Sequence, residues 1–235
     1  MNILITAGGT SEKIDEVRKI VNTATGRLGA LIADEFTAKT GAAVTFVCDE
    51  AAVMPESAAE IIKIRSVDDL MSNICELLAD KKFDAVIHSM AVSDYKIRGV
   101  TSLDDLIAAI ELGESGIEKD KLADIINRSK KISSDIDGML MLMEKTPKVI
   151  SVIKKLQPET VLVGFKLLAG VSEDELLRAG HGLLVKNDCD FVFANDLEKI
   201  SGDMHEGILI EPDCSYRRMN SKQEIAEAIV TKIVN

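Results

Sequence analysis

The sequence predicts a three-layer α/β fold of Rossmann-like type, with a mainly parallel central sheet, an inserted flap or arm, and a C-terminal hairpin. Three observations predict it. Short apolar runs alternate with helical segments in the order β-α-β-β-α-β, which implies parallel strands joined by crossovers. The first run, residues 2 to 6, empties through Thr6-Ala7 into Gly8-Gly9, as a buried strand does at the edge of an open sheet. Hydrophobic residues make up 46% and charged residues 29% of 235 positions, which suits one core, since single α/β domains of about 200 to 250 residues are common.

The elements follow in order. A helix fits residues 27 to 39, where Leu28, Leu31, Ile32 and Phe36 share one face and Gly41 stops it. Ala43 to Cys48 reads as the next strand and Ile61 to Ile64 as a third; Val67 to Lys82 is a helix opening on Asp68 and Asp69, and Phe83 to His88 is another strand. From 97 to 140 the rhythm breaks into a polar, glycine-punctuated stretch, expected to be an arm inserted in a single domain that spans 1 to 235. Gly138 to Lys145 has the length and flanks of a strand, and Thr146-Pro147 is placed to cap a helix through Lys155. Val161 to Phe165 and Phe191 to Ala194 supply two more core strands around a helix at 173 to 187. GILIEPDCSYRRMN alternates around a Pro-Asp turn as a hairpin does, and a Ser-x-x-Glu capping box starts a last helix at Ser221.

Composition narrows the function. A net charge of -11, 3% aromatics and no Trp argue against nucleic acid, which needs basic surface and stacking platforms. No apolar run approaches the roughly 18 residues of a membrane span, and the start MNILITAGG lacks a basic segment followed by a long apolar core, so a cytoplasmic location is expected. Cys48, Cys75, Cys189 and Cys214 form no C-x-x-C pair, the pattern of buried thiols in a reducing compartment. His88, His181 and His205 are too scattered for a metal site.

The fingerprint G-x-G-x-x-G is missing. Instead Gly8-Gly9 is followed about 16 residues on by Thr25-Gly26-Arg27-Leu28-Gly29, so the second cluster supplies the helix N-terminus that could hold phosphate. Thr25 would cap that helix, and Gly26 would let a ligand approach the backbone. Between the clusters lie Asp15, Arg18 and Asn22, in a loop expected to cross the carboxyl ends of the strands, the usual ligand crevice of such sheets. Asp49 ends the second strand where a nicotinamide oxidoreductase places its ribose acid, which keeps that class open. Asp94 and Tyr95 follow small residues at the end of the fourth strand, a ligand rim or a simple turn. Lys130, Lys131, Lys166 and Lys186 each read alone as a solvated lysine, but strand-end lysines converging on one crevice suggest a polyphosphate.

Taken together, ITAGGTSEKIDEVRKIVNTATGRLG, AVSDY at 91 to 95, the Lys130-Lys131 pair ahead of Thr146-Pro147, VGFK at 163 to 166 and LVKNDCDFVFAND at 184 to 196 resemble phosphopantothenoylcysteine synthetase (phosphopantothenate cysteine ligase) of coenzyme A biosynthesis, in the stand-alone bacterial type. The motifs run in order across nearly the whole chain. The resemblance implies that a nucleoside triphosphate, CTP in preference to ATP, activates the carboxylate of 4'-phosphopantothenate as an acyl nucleotide, from which L-cysteine then displaces the nucleotide. It implies that Asn22 contacts the acyl nucleotide and that Lys131, with Lys130, belongs to a mobile arm over the triphosphate. Gly8, Gly9, Thr25, Gly26 and Gly29 would frame phosphate with Arg18 or Arg27 as counter-charges, while Ala91, Asp94, Phe165, Lys166, Lys186 and Asn195 fall where the family binds nucleotide. Phe165 also ends an apolar strand, so a core role competes. Magnesium would enter with the nucleotide, held by phosphate oxygens and water. A homodimer, and a separate flavin-dependent decarboxylase acting next, complete what the family implies. One departure is Ala24-Thr25-Gly26 in place of the family's Ser-Ser-Gly, which leaves a single hydroxyl. A non-catalytic nucleotide or phosphopantothenate sensor is the rival from another class, since binding features alone do not require turnover.

Overall fold

The computed structural model describes residues 1–111, 126 and 131–235. The chain divides into two compact units: Met1–Thr10, Asn22–Val92 and Lys148–Asn235 form the first, Ser11–Val21 and Ser93–Pro147 the second. The arm expected over 97 to 140 therefore falls inside a wider second unit. In chain order the elements begin β1 (Asn2–Ala7), β2 (Ser11–Lys13), β3 (Lys19–Val21), α1 (Arg27–Thr40), β4 (Ala43–Cys48), β5 (Glu60–Lys63), α2 (Val67–Asp80) and β6 (Ala85–His88). They continue with β7 (Tyr95–Ser102), α3 (Leu103–Glu111), β8 (Met139–Lys145), α4 (Ile150–Leu156), β9 (Val161–Leu168), α5 (Glu173–Asn187), β10 (Phe191–Ser201), β11 (Met204–Ile210), β12 (Tyr216–Ser221) and α6 (Lys222–Val234).

The first unit is built on an eight-stranded sheet in the order β12-β11-β10-β9-β6-β1-β4-β5. Strands β5 to β10 in that order run parallel, and β11 and β12 close the sheet as an antiparallel hairpin. Alternation along β1 sends Ile3 and Ile5 to one face and Leu4 to the other, all fully buried, as strands covered on both faces require. On the first face α1 and α6 pack Phe36, Ile225 and Ile229 over Ile5, Phe46 and Phe193. On the other, α2, α4 and α5 pack Leu70, Ile74, Ile153 and Leu184 over Leu4, Val86 and Val192. Each such side chain contributes about 1.5–3 kcal/mol by leaving water, so the sheet is the rigid platform from which its edge loops project.

Helix ends show where local chemistry prevails. Ser66 and Ser172 make reciprocal capping boxes with Asp69 and Glu175, and Gly41 ends α1 at φ 63°. Two expected caps are corrected, and the third, Ser221, is the cap expected with only the return contact of its box changed. Gly26, at φ 75°, is the cap residue of α1, and Thr25 stands one position earlier, its Oγ1 accepting from Arg27 N at 3.4 Å. Thr146 does not start α4; its hydroxyl donates to Ser93 O at 2.5 Å and its amide to Asp94 O at 3.1 Å. At α6, Ser221 accepts from Glu224 N, but the Glu224 carboxylate takes the Asn220 amide at 2.8 Å.

In the second unit β2 pairs with β3 and β7 with β8, both antiparallel. The stretch 11 to 21, expected as a loop, is a hairpin whose strands are three residues each, too short and charged for a periodicity to register. Strand β7 begins ahead of residue 97, its Lys96 and Arg98 masking the strand pattern. Asp15 ties this unit together: Oδ1 accepts from Val17 N at 2.9 Å and Arg18 N at 2.7 Å, and Oδ2 from Arg18 Nη2 at 2.7 Å and Ile132 N at 3.2 Å. The Arg18 guanidinium, helped by these amides, holds the Asp15 carboxyl well below the usual carboxylate range.

Candidate functional site

The two glycine clusters interlock at the carboxyl edge of β1, β4 and β6. Gly8 takes φ 83° as the chain leaves β1, and a Cβ there would sit 2.0 Å from Asp49 Oδ1. A Cβ on Gly9 would lie 2.2 Å from Asn22 O, one on Gly26 3.1 Å from Gly8 N, and one on Gly29 2.6 Å from Ala7 Cβ. These approaches admit no side chain, so glycine is demanded by contact across the crevice. Backbone bonds fix the same meeting: Ala91 N donates to Gly8 O at 2.9 Å, Thr10 N to Ala91 O at 3.0 Å, and Asn22 N to Thr10 O at 3.1 Å. The Asn22 side-chain nitrogen stands 3.5 Å from both Thr10 O and Thr10 Oγ1.

Helix α1 starts from this crevice with no acidic residue in its first turn, so the positive end of its dipole is left for an anion. Asp49 Oδ1 accepts from Gly9 N at 3.2 Å and its Oδ2 from Ala51 N at 3.0 Å, so the acid acts as a strut of the glycine turn.

Farther along the same carboxyl edge, Phe165 and Lys166 lie half-buried on β9. The Phe165 ring is 5.6 Å from that of Phe193, tilted 57°. Asn195, buried on β10, has Nδ2 2.9 Å from His205 Nε2, and His205 meets the Phe193 ring edge-on at 5.5 Å. Arg27 is exposed and pairs with Asp203 at 3.3 Å, a contact that contributes ~0–1 kcal/mol.

The structure thus gathers Gly8, Gly9, Asn22, Thr25, Gly26, Gly29 and Ala91 at one crevice of the first unit, with Phe165, Lys166 and Asn195 on neighbouring strand ends. Lys186 requires correction as a strand-end lysine. It is exposed in the last turn of α5, at the amino edge of the sheet, because the helix runs back antiparallel to β9. Arg18, Asp94 and Lys131 belong to the second unit. Arg18 is bound to Asp15 and to Ile132 O at 3.1 Å, while Asp94 and Lys131 are exposed. Lys130 lies outside the described residues.

Sequence reasoning missed His205 and the crevice-lining Ala52 and Ser89. Ala52 Cβ would be 3.0 Å from a Cβ at Gly8 or Gly26, and Ser89 Oγ 3.0 Å from one at Gly29; small side chains of this kind carry no motif signal. His205 falls before residue 207, where the hairpin was expected to open. His88, at the end of β6, bonds Thr6 Oγ1 through Nδ1 at 2.9 Å, and burial lowers its pKa to about 4. Among the described residues no group of three or more His, Cys, Asp and Glu converges as a metal site, and no helix is long and apolar enough to cross a membrane.

An open, mainly parallel sheet whose first strand feeds a glycine-framed crevice at its carboxyl edge defines the class: an α/β protein of Rossmann-like architecture. Within that class the chain belongs to the family of the DNA/pantothenate metabolism flavoprotein C-terminal domain, whose model matches residues 1–104 and 122–235. The crystal structure of the DNA/pantothenate metabolism flavoprotein from Streptococcus pneumoniae superposes with a TM-score of 0.89 at 37% identity, over 100% of this chain and 98% of that one. The coenzyme A biosynthesis bifunctional protein CoaBC of Thermococcus kodakarensis is 33% identical over 98% of this chain. The chain spans about half the length of that relative, 50%. A Cab2 variant in complex with phosphopantothenate-cysteine shares the fold, with a TM-score of 0.71 at 17% identity over 99% of this chain and 85% of that one.

Proposed function

We propose that the chain is a phosphopantothenate cysteine ligase of coenzyme A biosynthesis, joining 4'-phosphopantothenate to L-cysteine through an acyl nucleotide. The observation that carries this reading is the interlock of Gly8-Gly9 with Asn22 and with the N-terminus of α1, in a chain one-third identical to a bifunctional coenzyme A biosynthesis protein. A carboxylate is a poor electrophile. Its oxygen attacks the α-phosphorus of a nucleoside triphosphate, the bond to the β-phosphate breaks, and pyrophosphate leaves. The cysteine amine then attacks the acyl carbon, the nucleoside monophosphate departs, and the amine proton passes to solvent.

The N-terminal amides and helix dipole of α1 at Gly26 and Gly29 suit a phosphoryl group whose charge grows during transfer. The Asn22 amide can donate to one oxygen while accepting from another, which suits the mixed anhydride. The family resemblance assigns Lys131 to the triphosphate, with magnesium held chiefly by phosphate oxygens and water. CTP is the proposed nucleotide. A homodimer is proposed on the same ground, and a monomeric mass by light scattering at micromolar concentration would remove it.

The test is pyrophosphate release from CTP and, separately, ATP, with 4'-phosphopantothenate and magnesium, with and without L-cysteine. Release that becomes catalytic only when L-cysteine is added is expected, faster with CTP. No release with either nucleotide would leave a binding protein or sensor. An oxidoreductase is disfavoured because the G-x-G-x-x-G fingerprint is missing after the first strand.

A further inference from the structure

Residues 131 to 138 form neither helix nor strand, so no ladder of backbone bonds sets where this segment runs. Within it Ile132 is 3% exposed, and both of its backbone groups are held by side chains distant in sequence. Its amide donates to Asp15 Oδ2 at 3.2 Å, 117 residues away, and its carbonyl oxygen accepts from Arg18 Nη2 at 3.1 Å, 114 residues away. The two clasping groups are themselves paired: Arg18 donates to Asp15 Oδ2 from Nη2 at 2.7 Å and from Nε at 3.2 Å. Carboxylate, guanidinium and one residue of the chain thus close a ring, all within the second unit.

The β2–β3 turn does not by itself account for the acid. Asp15 Oδ1 closes that turn by accepting from Val17 N at 2.9 Å and Arg18 N at 2.7 Å, which the side-chain oxygen of Asn or Ser does as well. Oδ2 is surplus to the turn, and Oδ2 is the oxygen that reaches Ile132. The Asp15 side chain is 1% exposed with both oxygens committed, so it does not itself meet a ligand. Lys131, by contrast, is exposed and is bonded directly to the clasped residue. Neighbouring Cα atoms stand about 3.8 Å apart, so fixing Ile132 fixes the root of Lys131, while the lysine's flexible stem leaves its ammonium free to reach.

We propose that Asp15, with Arg18, is a positioning residue: the pair fastens the backbone at Ile132, so that Lys131 is held at its root and presents its ammonium to the triphosphate. This inference rests on the reading of the preceding section, which assigns Lys131 to that group. A lysine acts on phosphate as a point charge, and a misplacement of ~1 Å costs on the order of 100-fold in rate. Asparagine at 15 keeps Oδ1 for the turn but sets an NH2 group, which only donates, against the Arg18 and Ile132 donors. The clasp opens while the turn remains.

The experiment is a double-mutant cycle of Asp15→Asn and Lys131→Ala, read by kcat for pyrophosphate release from CTP and by equilibrium binding of CTP, with every variant shown by thermal unfolding to be folded at the assay temperature. Hydrogen exchange at the Ile132 amide reports the clasp itself, and is expected to be at least about tenfold faster in Asp15→Asn than in the wild type. Asp15→Asn alone is expected to lower kcat about 100-fold. In the Lys131→Ala background it is expected to lower kcat by less than about threefold, because a residue that acts through Lys131 then has nothing to position. A role confined to stability lowers kcat equally in both backgrounds, and that result overturns the inference while leaving the ligase reading in place. Equal exchange at Ile132 in Asp15→Asn and the wild type also overturns it. CTP binding that Asp15→Asn weakens only when Lys131 is present, with no pyrophosphate released by the wild type, sinks the ligase reading and leaves this inference standing. A wild type that neither binds CTP nor releases pyrophosphate overturns both.

Discussion

Replacing Gly9 with alanine isolates the interlock from general stability. A Cβ at position 9 would stand 2.2 Å from Asn22 O, 2.9 Å from Asn22 Cβ and 3.0 Å from Asn22 C. Ordinary carbon contacts begin near ~3.5 Å, so the Asn22 backbone must withdraw by roughly 1 Å, and its amide goes with it. In a tightly packed edge such an insertion costs about 1–3 kcal/mol of stability. A misplacement of ~1 Å at a positioning group costs on the order of 100-fold in rate. Gly41→Ala is the control, with the same kind of substitution at φ 63° and nothing within 4 Å of the new Cβ, so it carries only the left-handed strain of ~1–2 kcal/mol. Pyrophosphate-release kinetics and thermal unfolding on both variants give the comparison. The expected result is similar destabilisation but a loss of about 100-fold in kcat/KM for Gly9→Ala alone. Wild-type kinetics in Gly9→Ala, or equal losses in the two variants, would refute the assignment of Asn22 to the reacting site.

Three further outcomes are expected. Gly182→Ala, in the interior of α5 with nothing within 4 Å of a Cβ, should raise stability by about 0.5–1 kcal/mol in urea titrations and leave turnover unchanged. His88 titrates near 4 in the fold and near ~6.5 unfolded. The unfolded chain therefore gains its proton first as pH falls, and about 3 kcal/mol of stability should drain away between those values; His88→Gln should flatten the denaturation midpoint over that window. Asp15, held below the usual carboxylate range by Arg18, contributes stability that is full above the unfolded value of ~3.9 and fades as pH drops below it. Asp15→Asn should lower the urea midpoint at pH 7 and narrow the gap to the wild type as pH falls below 4.

The parts of the fold legible in the sequence are those fixed by short-range rules. Buried parallel strands such as Ala43–Cys48 are continuous apolar runs, and α5 begins and ends where its Ser172 cap and its apolar period place it. The illegible parts depend on partners distant in sequence. The Thr146 hydroxyl could cap a helix or bond Ser93 O, and it takes the second because 53 residues away a carbonyl needs it. The site divides on the same line. Glycines that touch one another across the crevice are readable, since what they lack is what the contact requires, but a lysine advertises only its charge. Lys186 lies in the helix that the sequence places at 173 to 187, and a helix that returns antiparallel to β9 finishes at the amino edge, away from the strand ends that its charge suggested.

The same distinction explains why Asp49 misleads. An acid at the end of the second strand is an informative sign of a ribose site only if the glycine turn beside it satisfies its own amides. Here the turn lacks the G-x-G-x-x-G spacing, and the Gly9 amide has no successor glycine loop to fold against. The Asp49 carboxylate supplies the missing acceptor at 3.2 Å, while the helix N-terminus that would have followed directly is delivered by Gly26 from another segment. Separating the turn from the helix by the stretch 10 to 25 is what brings Asn22 into backbone contact with Gly9. A dinucleotide fingerprint, with its turn running straight into the helix, leaves no place for that amide, so the departure from the motif and the approach of Asn22 to Gly9 have one structural cause.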